Sequence, residues 1–215
     1  VSMQAVILAG GLGTRLKPVI MDLPKPMAPI LDKPFLEYQM RELKKNAIEN
    51  VLVLIAYKGE VIKKYFGDGS EFGLKIQYSE EIEPLGTAGA LFNAWDSLEN
   101  EFYLINGDTF FHVQYELIDD FVKSKNVKAL VSLRLTEDVK RYGSVEQRDF
   151  KVTEFVEKGQ LPESRVDGYI NGGLYFFHKS ILKDFYDSYH GISLSLERDI
   201  LPSFAKEDKL FSKGC

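Results

Sequence analysis

The segment Leu8-Ala9-Gly10-Gly11-Leu12-Gly13-Thr14-Arg15-Leu16 stands directly behind the apolar run Ala5-Val6-Ile7-Leu8, and Leu23-Pro24-Lys25-Pro26-Met27 follows a few residues later. Glycines at 10, 11 and 13 let backbone amides turn inward and approach an anion closely. Two common phosphate-binding templates fail on this segment. A P-loop ends in Gly-Lys-Ser/Thr, and here the run ends Gly-Thr-Arg. A dinucleotide fingerprint through Gly11 and Gly13 needs a third small residue at position 16, which is Leu16. What remains is a glycine turn, then Arg15, then Lys25 between two prolines. The prolines predict a stiff, extended segment, so Lys25 loses little entropy on meeting a phosphate. Arg15 offers two donors in a plane and Lys25 a point charge. The pair suits a reaction in which negative charge builds at phosphorus.

Outward from this loop, apolar runs alternate with helical patterns. Residues 51–55 and 102–105 are continuously apolar, as in strands covered on both faces. Residues 74–78 alternate like a strand. Pro34 suits the first turn of a helix on which Leu36, Met40, Leu43 and Ala47 recur at helical spacing. Residues 58–66 and 86–95 also read as helices. Strand–helix alternation implies right-handed crossovers and an α/β domain with a mostly parallel sheet. Ligands of such sheets sit beyond the carboxyl ends of the strands. The 10–25 loop and Asn106-Gly107-Asp108 each follow a buried strand, so both fall on that edge. In the second half, residues 129–134, 143–146, 152–157 and 169–177 read as strands, and residues 180–186 and 195–205 as helices.

Composition narrows the function. A net charge of −5 is the wrong sign for a general nucleic-acid binder, so phosphate contacts must come from a local site. With 45% hydrophobic residues the chain can bury a sizeable core. No apolar run reaches the roughly 18 residues a membrane span needs, and residues 1–4 lack the pattern of a secretory leader. The single cysteine, Cys215, excludes an internal disulfide and fits a reducing compartment, so the expected location is the cytoplasm. His112, His178 and His190 show no ligand spacing, and Trp95 sits at a core-like position.

The glycine loop with Pro24-Lys25-Pro26-Met27 closely resembles the signature of the sugar-1-phosphate nucleotidyltransferases. Further motifs match. Pro84-Leu85-Gly86-Thr87-Ala88-Gly89 resembles the family's nucleoside-recognition loop, in a form most like guanylyltransferases. Gly86 is expected to let a base or ribose pack on the backbone, beside free amides at a helix start. Leu104-Ile105-Asn106-Gly107-Asp108 ends in a hard carboxylate suited to Mg²⁺. Glu157-Lys158, Asn171-Gly172 and Gly143 resemble sugar- and sugar-phosphate-contacting positions, although Gly159 stands where the family usually has proline.

The resemblance implies a Rossmann-like three-layer sandwich and a residue-by-residue site. Arg15, Lys25 and Asp108 would be catalytic, with Asp108 the Mg²⁺ ligand. Leu8, Ala9, Gly10, Gly11, Gly13, Thr14, Pro84, Gly86 and Thr87 would bind the nucleotide. Asn106, Gly107, Gly143, Glu157, Lys158, Asn171 and Gly172 would bind the sugar phosphate. The partners implied are an NTP, GTP favoured, and a sugar 1-phosphate, in an enzyme that forms homo-oligomers in many relatives. A second acidic metal ligand, in a late Asp-x-Gly stretch, has no counterpart before Lys213-Gly214-Cys215. Residues 1–215 are therefore expected to form one nucleotidyltransferase domain lacking its C-terminal end.

Residues 26–30 and 33–37 look most like the heptose 1-phosphate guanylyltransferases within the family, which points to D-glycero-D-manno-heptose 1-phosphate. Mannose 1-phosphate guanylyltransferases and glucose 1-phosphate thymidylyl- or uridylyltransferases come next. A non-catalytic nucleotide-sugar sensor and a molybdopterin guanylyltransferase are the rival classes.

Overall fold

A computed structural model describes residues 3–11, 23–109 and 112–214. The sheet has nine strands in the order β5-β4-β1-β6-β10-β7-β11-β9-β8. These are β1 (Gln4–Leu8), β4 (Asn50–Ile55), β5 (Lys75–Glu80), β6 (Glu101–Asn106), β7 (Ala129–Thr136), β8 (Ser144–Arg148), β9 (Lys151–Val156), β10 (Gly168–His178) and β11 (Phe211–Gly214). A two-residue pair, β2 (Pro29–Ile30) with β3 (Lys33–Pro34), forms a small separate hairpin.

The pleat sends alternate residues of β1 to opposite faces. Ala5 and Ile7 join one core with Leu36, Met40 and Leu43 of α1 (Phe35–Lys45), Ile62 and Phe66 of α2 (Gly59–Phe66), and Ile118 and Val122 of α4 (Tyr115–Lys125). Val6 joins the other core with Leu91 and Phe92 of α3 (Gly86–Asn93), Leu182 just ahead of α5 (Lys183–Asp187), and Leu201 and Phe204 of α6 (Leu201–Lys206). The sheet thus lies between two helical layers, the expected three-layer sandwich. Trp95 is buried and stacks on Tyr186 at 4.1 Å between ring centroids, a core role as its position suggests.

β5, β4, β1 and β6 are all parallel. β10 runs antiparallel to both β6 and β7, β11 is parallel to β7, and β9 is antiparallel to β11 and β8. Among the described residues, β9 and β10 oppose the other strands, so the sheet is mixed but mostly parallel. The helix-poor stretch between β7 and β10 explains the change. Antiparallel neighbours need only a tight turn, while parallel ones need a crossover. β8 and β9 are joined by Asp149 and Phe150, both at positive φ (51° and 66°), which matches the mirror-image turn favoured in two-residue hairpins.

Several element boundaries differ from the sequence reading. α1 stops at Lys45, and Ala47 is exposed at φ 58° while Ile48 turns inward. The 195–205 helix is two pieces: a π-helical turn over Leu196–Ile200, capped by Ser195, then α6. β11 and the β2–β3 hairpin are too short to show a period in the sequence, whereas α4 carries Tyr115, Ile118 and Val122 at helical spacing that the sequence reading does not use.

Candidate active site

β1 has β4 on one side and β6 on the other. The chain winds outward from β1 to β4 and β5, then returns through α3 to β6. The crevice beyond β1 and β6 is therefore the topological switch point, where open α/β sheets bind ligands. Its floor is tightly wired. Ala9 N–H donates to the Leu54 carbonyl at 2.8 Å, and Gly107 N–H to the Leu8 carbonyl at 2.9 Å. A Cβ on Gly107 would stand 2.4 Å from that carbonyl oxygen, so only glycine lets the two loops meet.

Lys25 reaches this crevice from a distant segment. Its Nζ lies 2.5 Å from Asp108 Oδ2, and both side chains are partly exposed. Pro24 is extended as expected, but Lys25 itself opens a single 3₁₀ turn over Lys25–Met27, closed by Met27 N–H to the Pro24 carbonyl. Buried Pro26 and Met27 anchor that turn, so the clamp works through packing rather than through an extended backbone. The other oxygen of Asp108 accepts the Thr109 hydroxyl at 3.2 Å. Gly13, Thr14 and Arg15 lie outside the described residues; Leu8, Ala9, Gly10 and Gly11 lead up to them from the end of β1.

The α3 start departs from expectation. Ala88 and Gly89 N–H both donate to the Leu194 carbonyl, at 3.0 and 3.3 Å, so those amides are engaged within the chain rather than free for a ligand. Gly86 sits at φ 76°, and a Cβ there would meet the Leu194 carbonyl oxygen at 2.5 Å. Its missing side chain leaves room for the chain's own backbone at Leu194. Thr87 is likewise engaged: its hydroxyl donates to Glu197 at 2.9 Å and accepts from Leu196 N–H at 2.8 Å. Pro84, by contrast, is exposed.

The sugar-side motifs converge in pairs. Gly143, at φ 84°, packs so closely on the Val156 carbonyl oxygen (2.6 Å from a hypothetical Cβ) that it braces the start of Glu157-Lys158. The Glu157 and Lys158 side chains are exposed. Gly159 has φ 88°, a conformation closed to proline, which accounts for its presence after the Glu-Lys pair. In β10 the register shifts between Asn171 and Tyr175. Asn171 shapes this bulge by accepting Gly173 N–H (2.8 Å) and donating to the Tyr175 hydroxyl (2.7 Å). Gly172 is pressed against Ser132, and Gly173 faces Asn106 and Thr109, so the bulge abuts the Asp108 loop.

Four residues escaped the sequence reading. Buried Gln39 of α1 donates to the carbonyls of Asn106 and Thr109 (2.9 and 2.6 Å) and so holds the Asp108 loop. Its signal was a polar residue inside the Leu36-Met40-Leu43 stripe. Glu81, just past β5, accepts Leu85 N–H on Oε2 at 3.2 Å, while Oε1 faces Gly10. Burial raises its pKa above the usual carboxylate range. Tyr175, fully buried, and half-buried Glu197 complete a network under the site. No sequence pattern linked them, because their partners lie up to 110 positions away.

The chain belongs to the nucleotidyl transferase family, whose model matches residues 4–211. It is 48% identical to the D-glycero-alpha-D-manno-heptose 1-phosphate guanylyltransferase of Campylobacter jejuni, over 85% of this chain and 79% of that protein. It is 43% identical to the enzyme of the same name from Aneurinibacillus thermoaerophilus, over 84% and 77%. Among solved structures, HddC from Yersinia pseudotuberculosis complexed with GMP-PN superposes with a TM-score of 0.83 at 36% identity, covering 99% of this chain and 90% of that one.

Proposed function

We propose that the protein condenses GTP with D-glycero-D-manno-heptose 1-phosphate, giving the GDP-sugar and pyrophosphate. The observation that carries the reading is the meeting of Lys25 and Asp108 over the β1/β6 switch point. A fixed cation and a hard carboxylate share the place where a triphosphate's α-phosphate would lie.

The sugar phosphate is already ionised, so no protein nucleophile is needed. One of its oxygens attacks the α-phosphorus in line, the bond to the β-phosphate oxygen breaks, and pyrophosphate leaves. Catalysis is then positioning and charge stabilisation. Lys25 would neutralise charge at the α-phosphate, and Arg15 would hold the leaving phosphates. Asp108, a hard carboxylate just beyond β6, would be one ligand of Mg²⁺ beside phosphate oxygens of the substrate. Oxygen donors of this kind fit a small hard ion. Bound there, Mg²⁺ would supply charge neutralisation and alignment of the phosphates. Glu157, Lys158 and Gly143 would hold the sugar phosphate.

Glu81 supports guanine as the base. Its Oε1 lies beside Gly10, and a carboxylate there suits the adjacent N1–H and N2–H donors of guanine. Uracil and thymine would offer the same carboxylate a single N3–H flanked by two carbonyl oxygens. A site built around such donors rejects a base lacking them. NTP and sugar phosphate are small soluble substrates, which agrees with a cytoplasmic enzyme, and no helix among the described residues is long and apolar enough to cross a membrane.

The test is pyrophosphate release over a grid of NTPs and sugar 1-phosphates, with and without Mg²⁺. The highest kcat/KM is expected for GTP with the heptose 1-phosphate, dependent on the metal. A higher value with mannose 1-phosphate would reassign the sugar, and no release for any pair would overturn the activity.

A further inference from the structure

One carboxylate joins α3 to β10. Glu197 Oε2 accepts the Thr87 hydroxyl at 2.9 Å and the Ser195 hydroxyl at 3.2 Å. Its Oε1 accepts the Tyr175 hydroxyl at 3.3 Å. Tyr175 in turn accepts the Asn171 amide N–H at 2.7 Å, and Asn171 holds the Gly173 amide at 2.8 Å. The chain therefore runs from the first turn of α3, behind the Pro84–Thr87 loop, to the β10 bulge beside Asn106 and Thr109. Glu197 sits in the π-helical turn Leu196–Ile200, a distortion that costs regular helix geometry and that recurs at functional positions. The same segment clamps α3 through Leu194, which accepts Ala88 and Gly89 N–H and donates to the Leu85 carbonyl at 2.8 Å.

We propose that Glu197 is a positioning residue that fixes the nucleotide loop relative to the sugar-side bulge, so that both substrates meet in line. The inference rests on the nucleotidyl-transfer reading of the site. Glu197 acts through Thr87 and Tyr175 and touches neither substrate. A carboxylate is suited to the task because every group facing it is a hydroxyl donor, one set on each oxygen. In Glu197→Gln the amide oxygen keeps the Thr87 side, but the amide N–H₂ then meets a Tyr175 hydroxyl that can no longer donate to it.

The test compares Glu197→Gln, Tyr175→Phe and their double variant in steady-state pyrophosphate release, with Tm measured alongside. Each single change should lower kcat about tenfold while the KM for GTP and for the sugar 1-phosphate moves less than threefold. The double variant should fall no further than either single one, because both break the same path. Independent multiplication of the two losses, or an unchanged kcat in folded protein, would overturn the proposal. A merely structural role would lower Tm and leave kcat per folded molecule intact. Should the Glu197 variant not fold, Tyr175→Phe alone carries the test: it removes the hydroxyl that Glu197 Oε1 accepts while keeping the buried ring, it should lower kcat about tenfold with both KM values nearly constant, and an unchanged kcat would overturn the proposal. Absence of pyrophosphate release in the unaltered protein would instead strike the underlying activity, so the two failures are separable.

Discussion

The two halves of the sheet hold their share of the site in different ways. In the parallel half, β5-β4-β1-β6, the loops beyond the strands are tied to each other through the backbone. Gly107 bonds Leu8, Ala9 bonds Leu54, and Gln39 pins both sides of the Asp108 turn. In the mixed half, the backbone under Gly143 and Asn171 is braced, yet Glu157 and Lys158 extend exposed side chains. On the proposed reading, the phosphate-transfer side rests on backbone fixed within the fold at Leu8, Gly107 and Asp108, whereas the sugar side rests on the exposed side chains of Glu157 and Lys158. Changes in the first half should therefore cost kcat, and changes in the second should cost KM.

The largest effect is expected for Lys25→Ala. Turnover should fall by two or more orders of magnitude, about the worth of one key charge donor, while Tm barely moves, since a partly exposed ion pair contributes at most about 1 kcal/mol. Near-normal turnover would break the comparison at its centre. Gly107→Ala comes next. The added methyl meets the Leu8 carbonyl, so stability should drop by about 1–3 kcal/mol, and turnover ten- to a hundredfold as the Asp108 loop lifts; chemical denaturation and kinetics on the same sample check both.

Glu81→Gln should lower kcat/KM for GTP by tenfold or more and narrow the preference over UTP. Because burial raises the Glu81 pKa, its charge is lost at higher pH than an ordinary glutamate's. GTP efficiency should consequently fall early on the acid side, and that limb should vanish in the Gln variant. The stability sign is the same argument turned over: a raised carboxylate pKa means the fold binds that proton more tightly than the unfolded chain, so this group favours folding as pH falls. Glu37 does the reverse. Burial pushes its pKa up, but the Tyr65 hydroxyl and the Arg41 guanidinium hold the net value below normal, and its contribution is lost on acidification. The smallest effect belongs to Lys158→Ala, with KM for the sugar 1-phosphate up about tenfold, roughly 1.4 kcal/mol, and kcat and Tm nearly unchanged. A large kcat loss there would break the division between the two halves.

Much of the parallel half was legible in the sequence. Residues 5–8, 51–55 and 102–105 are apolar on both faces, and their loops carry Gly10, Gly11, Lys25 and Asp108 on the expected edge. The mixed half was less legible because strand pairing there is antiparallel, and residues 143–177 give no local sign of which neighbour each strand takes. Gly86 shows the limit well. Its type and position were read, but the reason for it, the Leu194 carbonyl, lies over a hundred residues away.

The sequence by itself determined the chemistry on offer: a glycine turn without a P-loop lysine, a proline-flanked Lys25, a strand-end Asp108, and the strand–helix order that puts them on one edge. Periodicity and backbone restriction are local properties, so the chain declares them locally. Only the tertiary structure decided that Lys25 meets Asp108, that the Ala88 and Gly89 amides bond Leu194, and that Gln39, Glu81, Tyr175 and Glu197 connect to the loops of the candidate site. Each of those depends on which buried donor meets which acceptor, and burial without a partner is costly. That matching is fixed by packing across the whole sheet, not by any one stretch of residues.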